Sequence, residues 1–396
     1  MLSPRQLFLL NTAQTSPTPR LLEIERAEGM YMYSPEGKRY MDLVSGFAVS
    51  NIGHRHPKVV QAIKDQADKY LHLTVYGEYI QSPQIKFAEK LSSVLPKSLS
   101  SVYFVNSGAE ATEGALKLAK RFTGRSEIIA CKNSYHGSTH GALSVMGNEY
   151  YKQAYRPLLP DIRFIEFNNP AHLDQIGNKT AVVIMETIQG EAGVRVPDTG
   201  YMQKLRQRCN ETDTLLILDE IQTGFGRTGR LFGFENFNIT PDILLIAKGM
   251  GGGMPIGAFI SSKEIMGSLT ENPILGHITT FGGHPVSCAA GLANLNVILE
   301  EKLYADVSSK ELLFRECLKH PAIKEIRGKG LMLSIQLSNF DQVETISRMC
   351  VEKGIIIDWF LHCETAMRIA PPLIITEEEI RHACSVILES LDNYMA

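Results

Sequence analysis

Between about residue 100 and about residue 262 the chain repeats one pattern: a short β-rich run, a polar or glycine turn, then a helical stretch. Strands separated by helices cannot close hairpins on one another, so they return by crossovers and build a parallel sheet with helices on its faces. The predicted strands are Val102–Val105, Ile128–Cys131, Ile162–Phe167, Ala181–Met185, Leu215–Leu218, Ile243–Ala247 and Ala258–Ser261. Several are apolar on both faces, as strands covered on both sides must be. Among the helices expected between them are Thr112–Phe122, with Ala115, Leu118, Ala119 and Phe122 in phase, and Met202–Cys209.

After about residue 300 the character changes to a helix over Leu303–Leu318, a strand at Leu331–Leu337, a helix near Val343–Lys353, a short strand at Ile355–Ile357 and a charged terminal helix from Glu377. This reads as a smaller α+β unit, completed by the first fifty residues with their Tyr31–Asp42 hairpin pattern. The expected division is therefore a large unit over residues 51–300 and a small one from residues 1–50 and 301–396. Two units suit 396 residues at roughly 100–200 residues per domain.

Composition removes several function classes. With 40 Lys plus Arg against 43 Asp plus Glu, a net charge of -3 and no basic block, no nucleic-acid partner is expected. Typical apolar runs such as Leu215–Leu218 and Ile243–Ala247 have strand length, far below the roughly 20 residues of a spanning helix, so no membrane partner is expected. Leu7–Leu10 lacks the basic start and cleavage site of a secretory signal. The 7 cysteines (Cys131, Cys209, Cys288, Cys317, Cys350, Cys363, Cys384) are scattered without a C-x-x-C pair. These features point to reduced thiols and a cytoplasmic location, with neither a disulfide framework nor a zinc site.

In open α/β sheets, ligands gather where the carboxyl ends of strands meet loops and helix N-termini. Four predicted strands end there in polar groups: Asn106-Ser107-Gly108-Ala109-Glu110, Glu186, Asp219-Glu220 and Lys248-Gly249. Ser107-Gly108-Ala109-Glu110 opens a helix whose free amides could hold a phosphate. Ser-x-x-Glu is equally a capping box that needs no ligand. Lys248 leaves a buried strand for a glycine-rich loop, where desolvation would favour the neutral amine that condenses with an aldehyde, although a lone lysine can also snorkel to solvent. Asp219 could cap a helix, pair with a cation or hold a protonated ring nitrogen. Together these groups offer an aldehyde partner, a pyridinium counter-ion and a phosphate cradle, the trio that pyridoxal phosphate requires.

Tyr135 in Tyr135-His136-Gly137 would bring an aromatic face to the same edge. His136 and His140 lack the glutamate of a zinc-protease helix, and His54 and His56 lack a third ligand, so no metal is expected. Gly224-Phe225-Gly226-Arg227-Thr228-Gly229 matches a dinucleotide loop by letter. It starts several residues after its strand and leads into no helical pattern, so the dinucleotide reading is set aside.

Taken together, these residues resemble the class III, or ornithine-type, aminotransferases of pyridoxal-phosphate fold type I. The resemblance rests on Ser45–Val49 with Gly53-His54 and His56-Pro57, Asn106–Ala111, Tyr135–Gly137, Glu186–Glu191, Asp219–Gly224, Lys248 and Arg368–Pro372, in order along nearly the whole chain. It implies an α/β fold with a mostly parallel seven-stranded sheet, a smaller α+β domain from both termini, and pyridoxal 5'-phosphate as cofactor. Lys248 would hold the cofactor covalently and then, displaced by the incoming amine, act as general base. Asp219 would keep the ring nitrogen protonated, Gln222 would bond the phenolic oxygen, and Ser107, Gly108 and Ala109 would hold the phosphate. Tyr135 would stack on the ring, with Glu186 joining the cofactor contacts. Thr280 would reach the phosphate of a neighbouring subunit, which requires a homodimer with shared active sites.

Phe47, Ser138 and Thr279 would line the substrate pocket. Arg368 would bind the α-carboxylate of 2-oxoglutarate, and Glu191 would pair with Arg368 when the other substrate presents only an ω-amine. The resemblance thus implies transfer of an ω-amine from an acetylornithine- or ornithine-like donor to 2-oxoglutarate, giving glutamate and an aldehyde. Two features depart from the pattern: those enzymes usually carry a carboxylate-binding arginine where this chain has Ser138, and the tyrosine they often carry in the stretch matching Thr15–Arg20 has no counterpart here. That leaves 4-aminobutyrate, a diamine or a lysine-like amine open as donor. An aminomutase, and a non-catalytic amine sensor on the same fold, remain the competing readings.

Overall fold

A computed structural model describes residues 2–395. Its centre is a seven-stranded sheet. In chain order the strands are β1 (Ser101–Val105), β2 (Glu127–Cys131), β3 (Ile162–Ile165), β4 (Thr180–Glu186), β5 (Leu215–Asp219), β6 (Ile243–Ile246) and β7 (Gly257–Ser261). Their spatial order is β1-β7-β6-β5-β4-β2-β3. Only β7 runs against its neighbours, pairing antiparallel with both β1 and β6. Every residue of β4, β5, β6 and β7 is buried, which is why these runs are apolar on both faces. Because β1, β2, β4, β5 and β6 point the same way, their carboxyl ends deliver the polar loops to one edge.

The helix Gly108–Thr123 covers one face, burying Ala111, Ala115, Leu118 and Ala119. Gly114 lets it approach closely, since a Cβ there would stand 2.3 Å from the Phe259 ring. Phe122, expected in phase with the buried stripe, instead lies exposed in the last turn. Two apolar clusters, one on each side of the sheet, form its core. The helix Pro285–Glu300 was not anticipated; it is buried nearly all round and so carries no polar face to mark it.

Strands from both ends of the chain meet in a second sheet, where Ile355–Ile356 pairs parallel with Arg39–Asp42 beside Tyr31–Tyr33 and Arg26–Glu28. A third, antiparallel sheet joins Glu325–Gly328, Leu333–Gln336, Cys363–Ile369 and Asp358–Phe360. Met30, Met41 and Leu43 share one apolar core with Val343, Ile346, Ile380 and Ile387 from the helices Phe340–Glu352 and Glu377–Met395. The helix expected from Leu303 begins at Val307, because residues 301–306 turn and Lys302 takes a positive φ of 49°. Among the described residues, no helix is long and apolar enough to cross a membrane.

Candidate active site

At the carboxyl edge of the sheet lies a cavity of about 480 Å³. Its lining includes Ser107, Gly108, Ala109, Tyr135, Ser138, Glu186, Asp219, Gln222 and Lys248, so nine sequence-predicted positions converge there. Lys248 follows β6 at a positive φ of 46°, a conformation costly for a side-chain-bearing residue. Its amine has no hydrogen-bond or ion-pair partner among the described residues. Burial pushes it below the usual lysine range, against the opposing pull of Glu191.

Asp219 ends β5 and is buried. Its Oδ1 accepts from the Ile221 amide at 2.9 Å, and its Oδ2 accepts from His136 Nδ1 at 2.7 Å. His136 was considered only as a metal ligand; its position beside Asp219 was not foreseen. Glu186 stands next to Asp219 in the β4–β5 register. It accepts from the amides of Tyr135 at 3.1 Å and Gly190 at 2.9 Å, fixing both loops. Burial, and then Asp219, raise the Glu186 carboxyl well above the usual range.

Ser107 caps the helix through Oγ, which accepts from the Glu110 amide at 3.2 Å. The reciprocal half of the box is displaced: Glu110 Oε2 takes the Asn106 amide and Asn106 Nδ2, each at 2.8 Å. The amides of Gly108 and Ala109, in the first turn, have no carbonyl of their own helix to bond. A Cβ at Gly108 would stand 2.7 Å from Ile221 Cδ1, so any larger residue there must push the Ile221 side chain aside. A cup of free amides, a buried carboxylate oriented by a histidine and an unbonded amine in one cavity fit the phosphate, ring nitrogen and aldehyde of pyridoxal 5'-phosphate.

Beside this cavity Glu191 pairs with Arg368, whose Nη2 donates to Oε2 at 2.7 Å. Glu191 also accepts from Gln222 Nε2 at 2.9 Å and from the Leu361 amide at 3.1 Å. Burial opposes its ionisation, but the charge and hydrogen bond of Arg368, with help from Lys248, hold Glu191 at about 2. The guanidinium sits between two rings, 5.0 Å from the Phe47 centroid and 4.4 Å from that of Phe360. Tyr135 is half-buried, with its hydroxyl 3.4 Å from Ser138 Oγ. Thr279 lies outside the cavity, accepting from Asn106 Nδ2 at 3.1 Å, and Thr280 is exposed to solvent. One chain therefore does not bring these two threonines to the cluster. Residues 224–229 form turns, and only the short 3-10 helix Gly233–Phe237 follows them, in line with setting the dinucleotide reading aside.

The fold and the cavity together define a pyridoxal-phosphate-dependent enzyme of fold type I. The chain matches the Aminotransferase class-III family over residues 12–391. It is 39% identical to an acetylornithine aminotransferase of Caldanaerobacter subterraneus over 98% of both chains. It is 40% identical to that of Methanocaldococcus jannaschii over 89% of each. A crystal structure of the ornithine aminotransferase from Toxoplasma gondii superposes with a TM-score of 0.92 at 30% identity, covering 100% of this chain and 96% of the other. The chain belongs to the class III aminotransferases and is a pyridoxal-phosphate-dependent transaminase.

Proposed function

We propose that the enzyme takes the ω-amine of an acetylornithine- or ornithine-like donor and passes it to 2-oxoglutarate, forming glutamate and an aldehyde. The observation that carries this reading is the closed Glu191–Arg368 pair, 2.7 Å across, beside the Lys248 cavity. A donor that presents only an ω-amine meets a neutralised Arg368. 2-Oxoglutarate displaces Glu191 and takes the guanidinium through its α-carboxylate. When bound, pyridoxal 5'-phosphate supplies an electron-withdrawing ring that acidifies the donor's amine-bearing carbon. Gly108 and Ala109 hold the phosphate with their amides, and Ser107 borders it. Asp219, steadied by His136, keeps a proton on the ring nitrogen; Gln222 bonds the phenolic oxygen and Tyr135 lies against the ring, while Glu186 fixes the Tyr135 loop. Lys248 takes the proton from the donor carbon and returns it to complete the transfer.

The same reading makes the enzyme a cytoplasmic homodimer, with residues 51–300 forming the cofactor-binding domain and residues 1–50 and 301–396 the smaller one. Seven free cysteines support a reducing compartment. Exposed Leu71, Tyr79, Ile80, Ile278 and Phe281 support a second copy covering that face, which would set Thr280 against the partner's phosphate. Phe47 and Thr279 would border the substrate. Ser138 favours a second donor reading, because a hydroxyl there gives a distal carboxylate no cation; 4-aminobutyrate, a diamine or a lysine-like amine then replaces the ornithine type.

Adding candidate donors singly to the holoenzyme, without keto acid, tests the donor. Loss of the cofactor's long-wavelength absorbance with acetylornithine or ornithine, followed by recovery and glutamate on adding 2-oxoglutarate, is expected. Conversion by diamines or 4-aminobutyrate alone would overturn the donor assignment and leave the chemistry standing.

A further inference from the structure

Arg227 is the largest fully buried side chain in the protein, with no accessible surface and no ion-pair partner among the described residues. Its guanidinium donates to four uncharged oxygens instead. Nη1 reaches the Leu331 carbonyl at 3.1 Å and the Pro371 carbonyl; Nη2 reaches Ser45 Oγ at 3.2 Å and Asn51 Oδ1. Burial pushes its pKa down to about 9, eased by Asp42. A cation so placed is a costly way to gain stability, because an apolar side chain of similar volume would serve as well.

Two of the segments it ties together meet at Arg368. Ser45, Gly46, Phe47 and Ala48 all have positive φ, at 47°, 60°, 63° and 65°. A left-handed turn of three side-chain-bearing residues and one glycine is unfavourable and must be held by its surroundings. Asp42 Oδ1 accepts the amides of Val44 and Ser45, each at 2.8 Å, and Ser45 Oγ donates to the Ala370 carbonyl at 2.6 Å. The turn presents Phe47 to one face of the Arg368 guanidinium. Pro371, the other anchor, follows Arg368 by three residues, and the Ala370 amide bonds the Leu43 carbonyl at 2.7 Å.

We propose that Arg227 is a positioning residue for Arg368: its buried fork pins the left-handed turn carrying Phe47 and the strand end carrying Arg368, setting the keto-acid subsite without touching substrate. This rests on the reading of Arg368 as the group that binds the keto acid's carboxylate. Lysine cannot replace the fork, since one ammonium cannot span acceptors arrayed around a plane.

The test uses holoenzyme carrying Arg227→Lys, Arg227→Met, Ser45→Ala or, as reference, Arg368→Ala. Glutarate, a dicarboxylate with the length of 2-oxoglutarate, is titrated calorimetrically, and the amine-donor and keto-acid half-reactions are timed separately. Arg227→Lys is expected to weaken glutarate binding and raise the half-saturating keto acid about tenfold or more, with the donor half-reaction within about threefold of wild type. Equal decline of both half-reactions, or unchanged glutarate binding, would overturn the proposal, since a merely structural arginine produces the first and an irrelevant one the second. If neither Arg227 variant folds, Ser45→Ala decides by its failure: it keeps the arginine and removes one Arg227 acceptor together with the Ser45–Ala370 bond, so the absence of a bias of about threefold in the same direction would overturn the proposal. Unchanged glutarate binding in Arg368→Ala would instead sink the reading of Arg368, and the proposal with it.

Discussion

Glu191 and Arg368 are joined at 2.7 Å with side-chain exposures of only 10% and 3%, so each is the other's principal compensation for leaving water. Gln222 at Oε1 and the Leu361 amide at Oε2 add two further hydrogen bonds to Glu191, which hold the closed state without a substrate. An anion that displaces Glu191 must regain what the pair loses. Under the proposed function, this one contact is where the two kinds of donor are told apart.

Glu191→Gln should therefore shift the enzyme towards α-amino acids. The amide keeps a hydrogen-bonding shape but leaves the Arg368 charge free for a substrate carboxylate. A charge-assisted hydrogen bond is worth about 1.5–3 kcal/mol, roughly tenfold to hundredfold in selectivity. Rapid-mixing measurements of the first half-reaction should show glutamate gaining by that factor over an ω-amine donor. An unchanged ratio would remove Glu191 from the switch.

His136 carries the second expectation. Without it, Asp219 would be a buried carboxylate holding only the Ile221 amide. His136→Phe should weaken the apoenzyme's affinity for pyridoxal 5'-phosphate about tenfold or more, whereas His136→Asn, which can still donate, should recover much of it. Fluorescence titration of the apoenzymes reads this directly, and equal affinities in both variants would show that His136 does not support Asp219.

Legibility in the sequence followed what was local. The central strands β4, β5, β6 and β7 could be read because every residue in them is buried, and four predicted strands end in polar groups at the edge where the cavity lies. The helix Pro285–Glu300 could not, since burial on nearly all sides erases the periodicity that identifies a helix. The strand Cys363–Ile369 was not read, because Glu364 and Arg368 on one face and Thr365 on the other leave no β-rich apolar run to mark it. The His136–Asp219 bond joins residues 83 apart, and nothing near His136 in sequence names its partner. Arg227 sat inside a motif rightly refused as a dinucleotide loop, yet only the folded chain brings Ser45, Asn51, Leu331 and Pro371 around it.

Glu220 gives a pH dependence to stability. Burial raises its carboxyl to about 7, against hydrogen bonds from Thr223, Thr187 and the amides of Gly233 and Phe234 that favour ionisation. With the folded value above an unfolded one near 4.5, the folded state binds the extra proton between the two. Its contribution is therefore full below pH 4.5 and is lost as pH rises through 7, a change of about 3 kcal/mol. Glu220→Gln is neutral throughout, so any constant cost of the amide cancels in the slope. Urea unfolding from pH 5 to 8 should show wild type losing stability relative to the variant; parallel curves would refute the assignment.

Lys248→Ala tests which residue carries the chemistry. Losing both the covalent anchor and the proton carrier should lower turnover by at least 10²–10⁴-fold. The Glu191–Arg368 pair lies outside the deletion, so glutarate binding measured by calorimetry should persist in the variant. Turnover retained near the wild-type rate would place the chemistry on another residue.

The exposed apolar face tests the assembly. Ile80 is 91% exposed and Ile278 51%, near the groove formed by Tyr76, Tyr79, Ile85 and Tyr103, and single chains rarely leave such a face open to water. Thr280 lies on the same segment as Ile278, exposed and away from its own chain's cavity. A second copy over this face would both bury the isoleucines and bring a threonine to the neighbouring phosphate cup. Ile80→Glu combined with Ile278→Glu should yield monomers by sedimentation that lose cofactor on dialysis. Thr280→Ala should remain dimeric and hold the cofactor less tightly, by about 1 kcal/mol for one lost hydrogen bond. A wild-type monomer that retains cofactor would show that each chain completes its own site.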